Sequence, residues 1–496
     1  MSFTENDLTA TVLSIDVGSS SVRAIVYDAE ANPVKGLAAH RSYEFNTTAD
    51  GGVEVDASFL TNLVFECLDQ VAARLKDRGI RPAGVAISTF WHNLLGIDAG
   101  HHPVTPIYSW ADTRSLLAAQ ELKERLDERQ VHSRTGCVFH TSYLPAKILW
   151  LQKSRPELVS RVVRWVSVGE FLETRLFGAA VCSFSMASGT GLFDQNRCDW
   201  DRELLGVLQL ETEQLSPLAD FNTPQTELLP EFAERWPALH RSSWFPALGD
   251  GACSNLGCGC HSQDRAALMV GTSGAMRVLW RTDSVTIPWG LWCYHLDRSR
   301  FLIGGALSNG GLLFDWLLET LRLEGAVADL EDRLAGMKPD AHGLTILPFL
   351  AGERSPQWKA HARAAIVGLS LHSTPWDILR AALESVAYRF ANIAGLLNPA
   401  VPDLHEVIAS GGALLRAPLW IQIMADVLGR PVIASEVPEA SSRGAALMAL
   451  EALGIVSDGA TLPAPTGQIY HPDEERHARY QEGITRQQKL YQLLYD

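Results

Sequence analysis

Apolar residues recur along this chain in two patterns: short β-branched runs that stop at clusters of glycine and serine, and longer stretches with apolar positions three or four apart. Thr11 to Val17 is a run of the first kind; it breaks at Gly18-Ser19-Ser20-Ser21 and resumes from Val22 to Tyr27, which predicts strand, tight turn, strand. From Leu60 onward Leu63, Val64, Cys67, Leu68, Val71 and Leu75 share one helical face, and Gly84 to Thr89 then reads as a buried strand. Strands alternating with helices predict an α/β domain.

The same plan returns in the second half. Ala267 to Val270 runs into Gly271-Thr272-Ser273-Gly274 and then into Ala275 to Trp280. Farther on, the pattern predicts a long amphipathic helix over Trp376 to Leu397, a strand over His405 to Ser410, a helix over Pro418 to Leu428, a strand over Pro431 to Ala434 and a capped helix over Ser441 to Leu453. The charged, Gln-rich stretch from Asp473 to Gln488 reads as a solvated terminal helix. Two copies of one plan predict two domains, residues 1–257 and 258–496, with a cleft between them and the flexible Gly257-Cys258-Gly259-Cys260 at their boundary.

Length agrees, since 496 residues exceed what one core holds. A formal net charge of −15 at pH 7 argues against nucleic acid or an anionic membrane as partner, so an anionic ligand would need locally placed donors. With no apolar run of about 18 residues and no charged-then-apolar start, the expected location is the cytoplasm. Of eight cysteines only Cys258 and Cys260 lie close together, without a second pair at metal spacing, so free thiols are expected. A homodimer is the base-rate expectation for assembly.

The chemistry concentrates at the turns. Asp16 ends the first strand before a turn of small residues whose backbone N–H groups can face an anion, with Arg23 shortly after; a carboxylate beside a phosphate cradle calls for Mg²⁺ between them. The alternative is an ordinary hairpin with a capping Asp. Gly271-Thr272-Ser273-Gly274 offers a matching cradle, and two such turns suit the β- and γ-phosphates of a nucleotide; the G-x-x-x-x-G-K-[ST] spacing of a P-loop is absent. In Gly249-Asp250-Gly251 the Asp opens a helix, as a proton-accepting carboxylate or as a plain N-cap. Ser410-Gly411-Gly412-Ala413 lets a flat ring approach the backbone, and Gly304-Gly305 and Gly310-Gly311 flank Asn309 in a similar way.

In this order, from about Val12 to Leu453, these pieces resemble the FGGY family of carbohydrate kinases. The resemblance implies two actin/hexokinase-type (ribonuclease H-like) ATPase domains with an interdomain cleft. It makes Ile15-Asp16-Val17-Gly18-Ser19-Ser20 the first phosphate hairpin, Asp250 the catalytic base and Gly271-Thr272-Ser273 the second hairpin. It places ATP at Gly18, Ser19, Ser20, Arg23, Gly271, Thr272, Gly311, Asp315, Gly412, Ala413 and Arg416, with Mg²⁺ held through water by Asp16 and, as a further ligand, Asp250. Ser88-Thr89-Phe90-Trp91-His92 stands where xylulose kinases have Ser-Gly-Gln-Met-His, so His92 matches and Phe90 departs. The segments Ser109 to Arg114, Ser185 to Leu192, Leu307 to Gly311 and Ala351 to Pro356 look like those of the family's gluconate kinases. The reaction then expected is ATP-dependent phosphorylation of D-gluconate at its 6-hydroxyl, with His92, Asp112 and Arg114 as acceptor contacts beside Asp250. The alternatives are a family member acting on xylulose, ribulose or glycerol, a local Asp112–Arg114 ion pair, or a non-catalytic nucleotide-binding protein of the actin/chaperone type; Lys147 and Arg354 are read as structural.

Overall fold

The computed structural model describes residues 11–322 and 330–495; the first ten residues, on which the expectation about export partly rests, lie outside them. The first half opens with β1 (Val12–Val17), β2 (Ser21–Tyr27) and β3 (Pro33–Ser42), an antiparallel meander whose first turn is closed by Gly18 N–H donating to Ser21 O at 2.9 Å. Helix α1 (Ala57–Arg78) follows. Asp56 caps it by accepting from Phe59 N–H, Gly79 ends it at φ 68°, and its buried face carries the predicted Leu63, Val64, Cys67, Leu68, Val71 and Leu75. It returns the chain to β4 (Gly84–Thr89), parallel to β1. Residues 90–242 form short helices and small sheets outside this plan, after which β5 (Ser243–Trp244) and β6 (Leu248–Gly249) pair with β4 and lead into α2 (Asp250–Gly257).

The second half repeats the scheme with β7 (Arg265–Val270), β8 (Gly274–Arg281), β9 (Trp292–His295), β10 (Arg300–Leu307), α3 (Gly311–Thr320), α4 (Pro375–Leu397), β11 (Glu406–Ser410), α5 (Pro418–Leu428), β12 (Val432–Ser435), α6 (Ala440–Ala452), β13 (Thr466–Tyr470) and α7 (Glu474–Tyr495). The sheet orders are β5-β4-β1-β2-β3, with β6 also beside β4, and β9-β10-β8-β7-β11-β12-β13. In each, the first strand lies between an antiparallel neighbour reached by the tight turn and a parallel neighbour reached by a helix. Both tight turns stand at the same end of their first strand, which is how the duplicated plan points two turns at one cleft.

The two halves interlock at a helix crossing. Ala445, Ala446, Leu447 and Leu450 of α6 belong to the core built on β1 and β4, although α6 comes from the second half of the chain. Helices α2 and α6 approach backbone to backbone. A Cβ at Gly257 would lie 1.9 Å from Ala440 O and one at Gly444 1.8 Å from Cys253 O, so only glycine fits either place. Arg443 locks the crossing by donating to Gly257 O (2.7 Å) and Pro463 O (2.9 Å).

One expectation needs correcting. The terminal helix α7 is not simply solvated: Tyr480, Ile484, Gln487 and Tyr491 are buried at helical spacing, and a Cβ at Gly483 would meet Tyr388 Oη of α4 at 2.4 Å. All eight cysteines are free thiols, with Cys258 and Cys260 Sγ 3.6 Å apart. Among the described residues no helix is long and apolar enough to cross a membrane.

Candidate active site

The two turns face the cleft with their hydroxyls outward. Ser19, Ser20 and Thr272 are exposed, while the residues behind them are buried in the strands. The second turn is braced from α3: Gly311 N–H donates to Gly271 O (2.8 Å) and Gly310 N–H to Thr272 O (2.9 Å). A channel of about 790 Å³ runs along both turns, lined by Ser19, Gly271, Thr272 and Ser273.

Asp16 ends β1 just before the first turn, and Asp250 lines the adjoining cavity together with Ser19. Asp16 is 5% exposed; Arg23 Nη1 reaches its Oδ2 at 3.5 Å and turns its Nε to Glu439 at 3.2 Å, while Asp16 Oδ1 is buried without a hydrogen-bond partner. Burial, and after it the charge of Asp250, pushes the Asp16 carboxyl up to about 7. A buried carboxylate oxygen with no donor, beside a second carboxylate, is the donor set of a hard divalent cation, so these residues fit Mg²⁺.

Asp250 opens α2 and accepts from Gly251 N–H at 2.8 Å. The flanking glycines are required by packing: a Cβ at Gly249 would lie 1.8 Å from Trp91 Cε2, and one at Gly251 would lie 2.5 Å from Arg277 Nη1. An indole and a guanidinium thus pack against the two glycines that flank Asp250. Burial raises the Asp250 pKa, and the Arg277 charge opposes the rise.

From Asp250 a cavity of about 330 Å³ extends between the domains, walled by Phe90, Trp91, His92 and Trp110 on one side and by Ala275, Arg277, Trp292, Tyr294 and Arg354 on the other. The ring pairs Trp91–Tyr294 (4.8 Å), Trp292–Tyr294 (4.4 Å) and His92–Tyr143 (5.0 Å) make a stiff aromatic wall. Burial holds the His92 pKa down at about 3, so the imidazole is neutral. Its Nδ1–H donates to Gly189 O at 2.5 Å, which leaves Nε2, 3.5 Å from Tyr294 Oη, as an acceptor for a hydroxyl.

Asp112 and Arg114 do not join this wall. Arg114 Nη2 lies 2.5 Å from both Asp112 Oδ2 and Glu54 Oε2, Asp112 also accepts from Val53 N–H (3.2 Å), and the guanidinium is covered by Tyr108 and Trp150. Their charges are spent on each other, which is the ion-pair alternative. Lys147 is buried as well, donating to the carbonyls of Thr141 and Ser142, and burial lowers its pKa to about 7. Two cations unread as site residues stand in the cavity instead. Arg354 rests between Trp110 (5.9 Å) and Trp358 (5.7 Å), while its neighbour Glu353 pairs with Arg389 and accepts from Tyr491 Oη (2.6 Å). Arg277 is 6% exposed, and its Nε, like that of Arg354, is buried without a hydrogen-bond acceptor.

A third space, of about 190 Å³, lies within the second domain and gathers Gly311, Asp315, Ala413 and Arg416 with the apolar Phe314, Leu383 and Trp420. Gly411 (φ 91°) has no room for a side chain, since a Cβ would lie 2.4 Å from Val270 O, and a Cβ on Gly412 would come within 3.0 Å of Arg416 Nη1. A flat apolar slot with an Asp and an Arg at its rim, opening near the second turn, suits a purine nucleoside.

The N-terminal domain model of the FGGY family of carbohydrate kinases matches residues 11–257, and the C-terminal domain model matches residues 266–453. The chain belongs to this family. It is 28% identical to a gluconokinase of Bacillus subtilis over 95% of this chain and 94% of that one, and 25% identical to a xylulose kinase of Lactococcus lactis over 97% and 95%. Among solved structures it is similar to a gluconate kinase of Lactobacillus acidophilus (TM-score 0.90, 26% identity, 98% of both chains) and to a ligand-bound xylulose kinase of the same organism (TM-score 0.91, 26%, 98% of both). The kinase therefore has the two-domain actin/hexokinase-like fold that the turns and strand order predict, and it is a phosphotransferase that uses ATP and an alcohol acceptor.

Proposed function

We propose that this kinase transfers the γ-phosphoryl group of ATP to the 6-hydroxyl of D-gluconate, yielding 6-phospho-D-gluconate and ADP. The observation that carries the choice of acceptor is the pair of guanidiniums, Arg277 and Arg354, that line the cavity beside Asp250 without a carboxylate partner. A cation held away from bulk water is best met by an anion, and a sugar acid brings one where a neutral polyol offers only hydroxyls. Kinship with gluconokinases points the same way.

In this reading residues 1–257 supply the acceptor site and the first phosphate turn, and residues 258–496 supply the nucleotide slot. The adenosine lies along Gly311, Asp315, Gly412, Ala413 and Arg416, and the phosphates lie between Gly18-Ser19-Ser20 and Gly271-Thr272. His92 Nε2 accepts from a sugar hydroxyl and the aromatic wall covers the carbon chain. Asp250 takes the proton of the 6-hydroxyl as that oxygen bonds to the γ-phosphorus and the bond to the β,γ-bridging oxygen breaks, so the electron pair leaves on ADP. Asp16, with Arg23 at its side and Asp250 near, is the residue that would hold Mg²⁺, which supplies charge neutralisation on the phosphates when bound. The α2–α6 crossing ties the helix that carries Asp250 to the second half of the chain.

A second reading, phosphorylation of a neutral ketose, is favoured by the match of His92 to xylulose kinases and by kinship with them; it leaves both guanidiniums without an ion-pair partner. Phosphorus NMR of the product separates the two. One equivalent of ADP and a phosphate ester on the gluconate 6-carbon support the proposal, and no ester from gluconate refutes it.

A further inference from the structure

We propose that Arg277 binds the acceptor's carboxylate and is the residue that makes this site select a sugar acid over a neutral polyol; the assignment rests on the gluconate reading above. Five arginines of the described chain are buried. Four have their charge met by the protein: Arg300 by Asp297 and Glu451, Arg380 by Glu384, Arg389 by Glu353, and Arg443 by two carbonyls. Arg277 is the exception. Its guanidinium makes no hydrogen bond to any described residue, and no described carboxylate lies within the 4.0 Å of an ion pair. Its Nε is buried without an acceptor, and the Asp250 charge acts on it from beyond ion-pair distance, so a ligand anion in the cavity would supply the partner its donors lack.

The surroundings aim the group. Arg277 is the charged position of the apolar strand Ala275 to Trp280, pairs with Gly304 across the sheet, and extends over it: a Cβ at Gly304 would lie 2.8 Å from Arg277 Cγ and 2.9 Å from Trp292 Cη2. Small residues at 275, 304 and 306 leave the floor of the cavity open, and the guanidinium ends beside Gly251, one residue from the base. No other cation fits the task as well. Arg114 is closed off by Asp112 and Glu54, and Arg354 borders the wide channel along the phosphate turns as well as the acceptor cavity, so nucleotide and acceptor both reach it. Arg277 faces the acceptor cavity alone. Its planar fork offers a carboxylate two parallel hydrogen bonds.

The test compares D-gluconate with D-gluconamide, which has the same carbon chain and hydroxyls but presents an uncharged amide with donors of its own. For wild type, Arg277→Met and Arg277→Lys, kcat/KM is measured for each acceptor at saturating ATP, and the ratio is taken within each protein so that a partly folded variant does not distort it. The expected ratio favours gluconate by about 100-fold or more in wild type, falls to within about threefold of parity in Arg277→Met, and is intermediate in Arg277→Lys. If Arg277→Met has no turnover, calorimetric binding of the two acceptors gives the same ratio. A ratio unchanged in Arg277→Met, with both acceptors slowed equally, overturns the assignment and makes Arg277 a positioning residue for Asp250. Wild type that phosphorylates a neutral ketose but neither gluconate nor gluconamide overturns the gluconate reading itself, an outcome distinct from the first.

Discussion

Replacing Gly444 by Ala tests whether the α2–α6 crossing sets the geometry of transfer. The added methyl would stand 1.8 Å from Cys253 O and 2.5 Å from Cys253 C, where ordinary contact needs about 3.5 Å, so the helices must part by roughly 1.5 Å. Cys253 is one turn below Asp250 on α2, and Ser441 Oγ on α6 donates to Asp250 O at 3.3 Å, so the shift is delivered to the base. A displacement of about 1 Å between reacting groups costs on the order of 100-fold in rate, and overpacking a tight contact costs about 1–3 kcal/mol, or about 2–10 °C in Tm for domains of this size. The expected result in a coupled ADP-release assay is kcat/KM lower by about 100-fold, with ATP binding by calorimetry within a few-fold of wild type. Gly395→Ala in α4, where a Cβ meets nothing within 4 Å, is the control: activity is unchanged and Tm is equal or slightly higher. Gly444→Ala with activity within threefold of wild type and Tm within about a degree would refute the argument.

Other consequences follow from the same geometry. Asp250→Asn keeps an oxygen for Gly251 N–H but removes the proton acceptor, so kcat should fall by about 10² to 10⁴ with acceptor and ATP affinities nearly unchanged; steady-state kinetics on both substrates measures this. Burial raises the Asp250 pKa above its ordinary 3.8, and the base works only deprotonated, so kcat/KM is full at higher pH and declines as pH falls through the raised value. His92 is already neutral across that range, so a pH profile of His92→Asn should keep the limb where it is, and a limb that moves with His92 contradicts the assignment. Ala413→Leu fills part of the 190 Å³ slot and should raise KM for ATP by about tenfold without changing KM for the acceptor.

What the chain reveals before folding follows physical range. Both tight turns, the flanking strands, α1, α4 and α5 are legible because each is written in a few consecutive residues: β-branched runs ending at Gly and Ser, or apolar positions at helical spacing. Asp250 is legible through its glycines, whose need for space against Trp91 and Arg277 emerges only in three dimensions. The short strands within residues 90–242 are too brief to show a period. Asp112 and Arg114 look like acceptor ligands in one dimension, but Glu54, about sixty residues earlier, completes their neutralisation. Arg277 has a local signal, one charge inside an apolar strand next to a tight turn, but its missing ion-pair partner is a statement about every neighbour at once. The buried stripe of α7 was present as Tyr480, Ile484 and Tyr491 and is masked by the charged residues between them.

The most direct test of the account is ADP release with ATP and Mg²⁺ against D-gluconate, D-xylulose, L-ribulose and glycerol, with Asp250→Asn beside wild type. Turnover with gluconate at least about tenfold above the other three acceptors, lost in the variant, is the predicted result; a neutral acceptor preferred over gluconate, or a variant as active as wild type, would contradict it.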